Sequence, residues 1–152
     1  MASEVSIVGN ALVDIINGAS LGQSVTAVFT HDDSEDFQDI TTARVAVIPT
    51  GRTKTMFDRS QIRITQTYAV NVRKRSTSDE MTNGAVAEAT LNAWEEFVEN
   101  LENIQWTGRF STLGARIDSV ETVASYDIQF LKQFNMFAAV ISITTQWWKT
   151  IT

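Results

Sequence analysis

Gly18-Ala19-Ser20-Leu21-Gly22 has the G-x-S-x-G spacing that, in hydrolases, raises a serine nucleophile on a sharp turn. That turn needs a strand before the serine and a helix after it. The flanking patterns predict the reverse order, so the segment is read as a helix-to-strand connector. The single histidine, His31, stands eleven residues beyond Ser20 rather than late in the chain after the acid. Next to it, Asp32, Asp33, Glu35, Asp36 and Asp39 offer hard oxygen donors for a divalent cation. They lack the alternating D-x-D-x-D-G rhythm and the distal bidentate glutamate. This stretch is read as a solvated loop in which Asp33 or Ser34 caps a short turn through Phe37. With no cysteine, thiolate metal sites, iron–sulfur ligation, disulfides and cysteine nucleophiles are excluded. One histidine also excludes a zinc site built on two or three imidazoles. No phosphate-binding glycine loop or dinucleotide fingerprint is present. The expectation is a protein without catalysis, cofactor or metal.

Composition bounds the class of protein but assigns no function. The chain has 152 residues, 43% hydrophobic and 20% charged, which fits one domain. A chain of that size buries roughly two thirds of its unfolded surface. Nineteen threonines lean it toward sheet. Twelve basic against eighteen acidic residues leave a net charge of −6, which argues against wrapping nucleic acid. The opening MASEVSIVGN lacks the basic and apolar regions of a signal peptide, and no run of about 18 apolar residues exists for a membrane span. The expectation is a soluble domain made in the cytoplasm.

The elements that would carry these residues follow from periodicity. Val5, Val8, Leu12, Ile15 and Ala19 form one stripe and predict a helix over 3–19, capped by Ser3 and stopped by a left-handed Asn17-Gly18. Strands are predicted over 24–30 and 42–48, the second ended by Pro49-Thr50-Gly51. Residues 61–73 alternate with Ile62, Ile64, Tyr68, Val70 and Val72 in one parity, interrupted only by Gln66. That pattern predicts a half-exposed strand antiparallel to its predecessor. Residues 49–60 between them are too long for a tight hairpin turn and are read as a projecting arm. A helix is predicted over 78–105, with Thr77 and Glu80 as a capping box and Ala87, Leu91, Trp94, Phe97, Val98, Leu101 and Ile104 facing inward. Asn83-Gly84 could delay its start by a turn. Strands over 116–126 and 136–148 follow, with a short turn from Asp127 through Leu131 and Phe134 between them. The order α-β-β-β-α-β-β predicts an α+β single domain, a largely antiparallel sheet packed with helices.

Charge is segregated along the chain. Arg52, Lys54, Arg59, Arg63, Arg73, Lys74 and Arg75 share their stretch with one acid, Asp58, while Asp79 to Glu102 holds seven acids and no base. The two segments could neutralise each other within one subunit or complement each other between copies. Trp147 and Trp148 are strand neighbours and point to opposite faces. Either both faces are covered by helices, or one tryptophan anchors an interface. The arm tip carries Met56 and Phe57, apolar residues flanked by Arg52, Lys54 and Arg59, the composition of a docking element.

The segment Ala43-Arg44-Val45-Ala46-Val47-Ile48-Pro49-Thr50-Gly51-Arg52, then Arg59, then Tyr68-Ala69-Val70-Asn71-Val72, resembles the tail terminator (tail completion) proteins of long-tailed bacteriophages. The ending Tyr126-Asp127…Leu131…Phe137…Ile141-Ser142-Ile143 is similar to that family as well. The Trp-Trp pair and the long acidic helix have no counterpart in the pattern. The resemblance implies a virion protein, usually a ring of six copies, at the head-proximal end of the tail. There it would end polymerisation of the tail-tube protein and meet the head connector or neck proteins, while DNA passes through the ring without specific binding. For the interface with a neighbouring subunit or the tail tube, the candidates are Arg52, Lys54, Met56, Phe57, Arg59, Arg73, Lys74, Arg75 and Trp148. The alternatives are another head–tail connector or neck protein, or a non-viral α+β binding module.

Overall fold

Burial that repeats every second residue organises the fold. In the computed structural model, which describes residues 3–19, 21, 26–31, 44–56, 58–75, 84–104, 114–124 and 136–150, the long strand β3 (Gln61–Arg75) buries Ile64, Gln66, Tyr68, Val70 and Val72 in one parity. β3 pairs antiparallel with β2 (Arg44–Met56) on one side and with β5 (Met136–Thr150) on the other. β1 (Thr26–Phe29) joins β2 in parallel, and β4 (Arg116–Ala124) joins β5 antiparallel. Among the described residues the result is a five-stranded sheet in the order β1-β2-β3-β5-β4. With the helices α1 (Glu4–Gly18) and α2 (Gly84–Glu102), the fold is the expected α+β single domain in the expected order.

Register decides which side chains share a face, because directly opposed residues point the same way. Val45 faces Val72, Val47 faces Val70, Tyr68 faces Ile143 and Ile64 faces Trp147. This apolar face receives both described helices. Val8, Leu12, Val13 and Ile16 of α1, and Trp94, Phe97, Val98 and Leu101 of α2, join it in one buried cluster. Fully burying a large side chain such as Leu12 or Phe137 contributes about 1.5–3 kcal/mol, so each such position is a strong determinant of register. The interruption at Gln66 is a polar rung: its side-chain amide donates to the Thr67 carbonyl at 3.0 Å, and the buried Thr145 hydroxyl donates to its backbone carbonyl at 3.0 Å. No described helix is long and apolar enough to cross a membrane.

Several boundaries differ from the sequence reading. β2 does not stop at Pro49-Thr50-Gly51; it runs on to Met56 with a register shift between Pro49 and Gly51. Proline lacks the N–H a ladder needs, but it is tolerated at an edge or a bulge. Pro49 meets both conditions, since β1 accompanies β2 only as far as Val47. The arm is therefore a β-hairpin extending the sheet rather than a loop. Gly18 is not left-handed; the chain leaves α1 through an extended Ala19 at φ −89° and ψ 149°. The Asn17 side chain instead accepts from the Ala27 N–H at 2.8 Å, tying the helix end to β1. β3 extends two residues past Arg73. Described helix α2 begins at Gly84, whereas the Thr77–Glu80 capping box lies outside the described residues, as do Ser20, the acidic segment 32–39 and the turn at Asp127.

Ser3 caps α1, its hydroxyl accepting from the Ser6 N–H at 3.2 Å. Within that helix Gly9 is buried, and a Cβ built there would lie 2.3 Å from Cε2 of Phe29. The Phe29 ring has little room to retreat, because it packs edge-on against His31 at 5.1 Å and Tyr68 at 6.5 Å. Glycine-to-alanine in an open helix interior stabilises by about 1 kcal/mol. Here Gly9→Ala is expected to destabilise instead, by about 1–3 kcal/mol from overpacking. In a Phe29→Ala background the same change should become neutral or stabilising. Thermal unfolding of the four variants checks both halves.

Candidate functional site

The hairpin formed by the distal halves of β2 and β3 is where exposure, charge and an apolar side chain coincide. Beyond the helix-covered part of the sheet, residues Thr50 to Met56 are exposed without interruption, and Met56 retains 66% of its surface. Lys54 opposes Ile64 and Met56 opposes Ile62, so both side chains project on the helix-bearing face. The turn is built locally. Asp58 Oδ1 accepts from the Ser60 N–H at 2.7 Å, the Ser60 hydroxyl at 2.9 Å and the Gln61 N–H at 2.9 Å. Those donors, led by the Ser60 N–H, hold the Asp58 carboxyl below the usual aspartate range. Arg59 is exposed in this turn, and Phe57 lies outside the described residues.

A polar clamp roots the hairpin in the body of the domain. Glu4, in the first turn of α1, accepts from the Lys149 ammonium at 2.8 Å and from the Trp147 indole N–H at 3.2 Å. The Arg52 guanidinium lies 3.6 Å from the same carboxylate. Beside them the Tyr68 hydroxyl donates to the Val5 carbonyl at 2.7 Å. Thus β2, β3 and β5 are each tied to the start of one helix, where a negative side chain is also favoured by the helix dipole. The Lys149 hydrogen bond, aided by Trp147 and by the two cations, holds Glu4 below the usual glutamate range. Burial pushes the Tyr68 hydroxyl above its ordinary value, against a smaller opposing effect of Arg52, so it stays a donor.

An open groove of about 400 Å³ runs between this clamp and His31, lined by Ser3, Val5, Pro49 and Arg52 among others. Its serine hydroxyl is engaged as the helix cap, and His31 packs on Phe29. Among the described residues, no three carboxylate or imidazole groups gather as metal ligands would.

The nine sequence candidates do not form one surface. Arg52, Lys54, Met56, Arg59 and Trp148 belong to the hairpin end. Arg73, Lys74 and Arg75 lie at the far end of β3, opposite Ala138, Phe137 and Met136. A strand rises about 3.3 Å per residue, so Arg63 and Arg73 are separated by roughly 33 Å despite sharing a basic run. Arg73 and Lys74 are half-buried and already engaged in contacts. The tryptophan pair divides as its parity requires: Trp147 is in the core, and Trp148 is half-buried on the opposite face with the Arg63 guanidinium 5.9 Å above its ring. Sequence reasoning missed Lys149 and the clamping role of Glu4. Shared parity of Lys149 with Trp147 was the available signal, but its partner is 145 residues away.

Glu4 yields a pH-dependent expectation. A carboxylate whose folded pKa is lowered contributes stability above its unfolded value, near 4.3, that is lost as pH falls through the folded value. Glu4→Gln should therefore melt earlier than the parent at neutral pH. The gap should close progressively below about pH 4.3. Melting temperatures of both proteins across that range check the sign, and a constant gap would contradict it.

No protein-family model and no curated protein sequence matches the chain. Among solved structures, it is similar to one at 14% identity and a TM-score of 0.33, covering 97% of this chain and 93% of that one. Likeness at that level carries no inference about function.

Proposed function

We propose that this chain is a non-catalytic structural protein of a long-tailed bacteriophage, a tail terminator that forms a ring at the head-proximal end of the tail. The observation that carries the reading is the hairpin: a rigidly rooted extension of the sheet whose outer strand is exposed from Thr50 to Met56 and ends in an apolar side chain. Residues that carry the family resemblance shape this element. Pro49 and Gly51 flank the register shift from which it departs, and Arg59 stands in its turn. An exposed apolar residue rimmed by cations suits a contact in which burial supplies affinity and charge supplies orientation. In this reading the copies, six by the family resemblance, close through a heterologous interface. The ring then stops the tail-tube protein from adding further subunits and faces the head connector. DNA traverses it without specific binding.

Microscopy tests the reading directly. Tail-tube subunits of the encoding phage, polymerised with this protein present, are expected to give tubes of arrested length with a ring at one end. Tubes that keep lengthening, with no ring, would overturn it. The variant Lys54→Glu, Met56→Ser, Arg59→Glu should fold normally and fail to cap. Arg52 is spared in it, because an acid at that position would stand against Glu4.

A further inference from the structure

We infer that the hairpin of one copy docks on the acidic outer face of α2 of a second copy. This rests on the hairpin being the docking element proposed above, and it names the partner surface. On α2 the buried side carries Trp94, Phe97, Val98 and Leu101, while Glu96 and Glu99 are exposed and Glu95 is half-buried beside them. Glu102, at the end of the helix, is otherwise engaged, accepting from the Thr122 hydroxyl of β4. The hairpin offers the complement: Lys54 and Arg59 exposed on either side of Met56.

The two surfaces cannot satisfy each other within one molecule. Trp94 packs on Phe137, and Glu102 reaches Thr122, which opposes Ile141, so α2 covers the Phe137 end of β5. Lys54 is level, through Ile64, with Trp147. From Ile141, the level that the Glu102 end of α2 reaches, six residues of extended β5 lead to Trp147, roughly 20 Å. That is well beyond the ~8 Å over which exposed charges interact at physiological salt. Arg52 of the basic run finds its acid in Glu4, not in α2. An acidic helix face and a basic hairpin set apart on one subunit favour a head-to-tail contact, the heterologous type that closes a ring when its rotation permits. A hairpin-to-hairpin contact would instead set lysine and arginine against their own kind.

The test is an exchange of charge. One variant reverses the hairpin, Lys54→Glu with Arg59→Glu, and a second reverses the helix, Glu96→Lys with Glu99→Lys. Sedimentation velocity at low ionic strength is expected to show the parent self-associating, with added salt weakening it. Each variant alone should associate at least about tenfold more weakly. An equimolar mixture should recover the parent's behaviour, because every junction in an alternating assembly again joins opposite charges. A parent that stays monomeric, a variant that associates like the parent, or a mixture that stays dissociated would each overturn the inference. All four positions are at the surface, and circular dichroism melting confirms folding. Should either reversal unfold, Lys54→Gln with Arg59→Gln, or Glu96→Gln with Glu99→Gln, is used in its place and must weaken association. Assemblies that obey the charge exchange yet leave tail tubes uncapped would remove the terminator reading alone. Capping that ignores the exchange would remove this inference alone.

Discussion

Along fifteen consecutive residues, β3 pairs with β5, and along most of that length it pairs with β2 as well. Every other feature is arranged around that ladder. Because a strand alternates faces strictly, one register commits Ile64, Tyr68, Val70 and Val72 to a single side, where α1 and α2 cover them. A slip of one residue would expose this entire set and bury Arg63 and Arg73. The apolar stripes of the helices thus act as a lock on strand register as much as a source of stability.

The same ladder continues into the hairpin. On the way it passes Gln66 and Thr145, a buried polar rung satisfied by its own hydrogen bonds. Beyond that rung Ile64 and Trp147 still belong to the core, and the start of α1 ties the strands together. Glu4 gathers Lys149, Trp147 and Arg52, and Tyr68 adds a bond to the neighbouring carbonyl. An indole N–H buried without a partner would cost free energy, so the clamp also lets Trp147 belong to the core. A hairpin rooted this way loses little conformational freedom when it meets a partner, and less entropy then opposes binding.

Placement of charge follows from extension. Residues that form one basic run in the chain are divided between the two ends of a long strand, whereas the acids of α2 stay together because a helix rises only about 1.5 Å per residue. The exposed acids Glu96 and Glu99 consequently share one helix face, while Lys54 and Arg59 stand apart from them beside Met56 on the hairpin. That asymmetry is the physical basis for reading the protein as a subunit of a directional assembly.

The amino-acid sequence alone determined the element order, the α+β class and the buried parity of β3, because periods of 2 and 3.6 are local and burial acts on them residue by residue. It also determined the Ser3 cap, a contact spanning three residues. What the tertiary structure decided was long-range. Pro49-Thr50-Gly51 reads as a strand end, yet an edge position and a register shift let β2 pass through it. Asn17-Gly18 reads as a left-handed stop, yet β1 claims the asparagine side chain and the backbone stays out of that region. The meeting of Glu4 with Lys149 depends on bringing together residues 145 apart in the chain. No local pattern encodes such pairing, since it is selected by the joint burial of all the strands and helices at once.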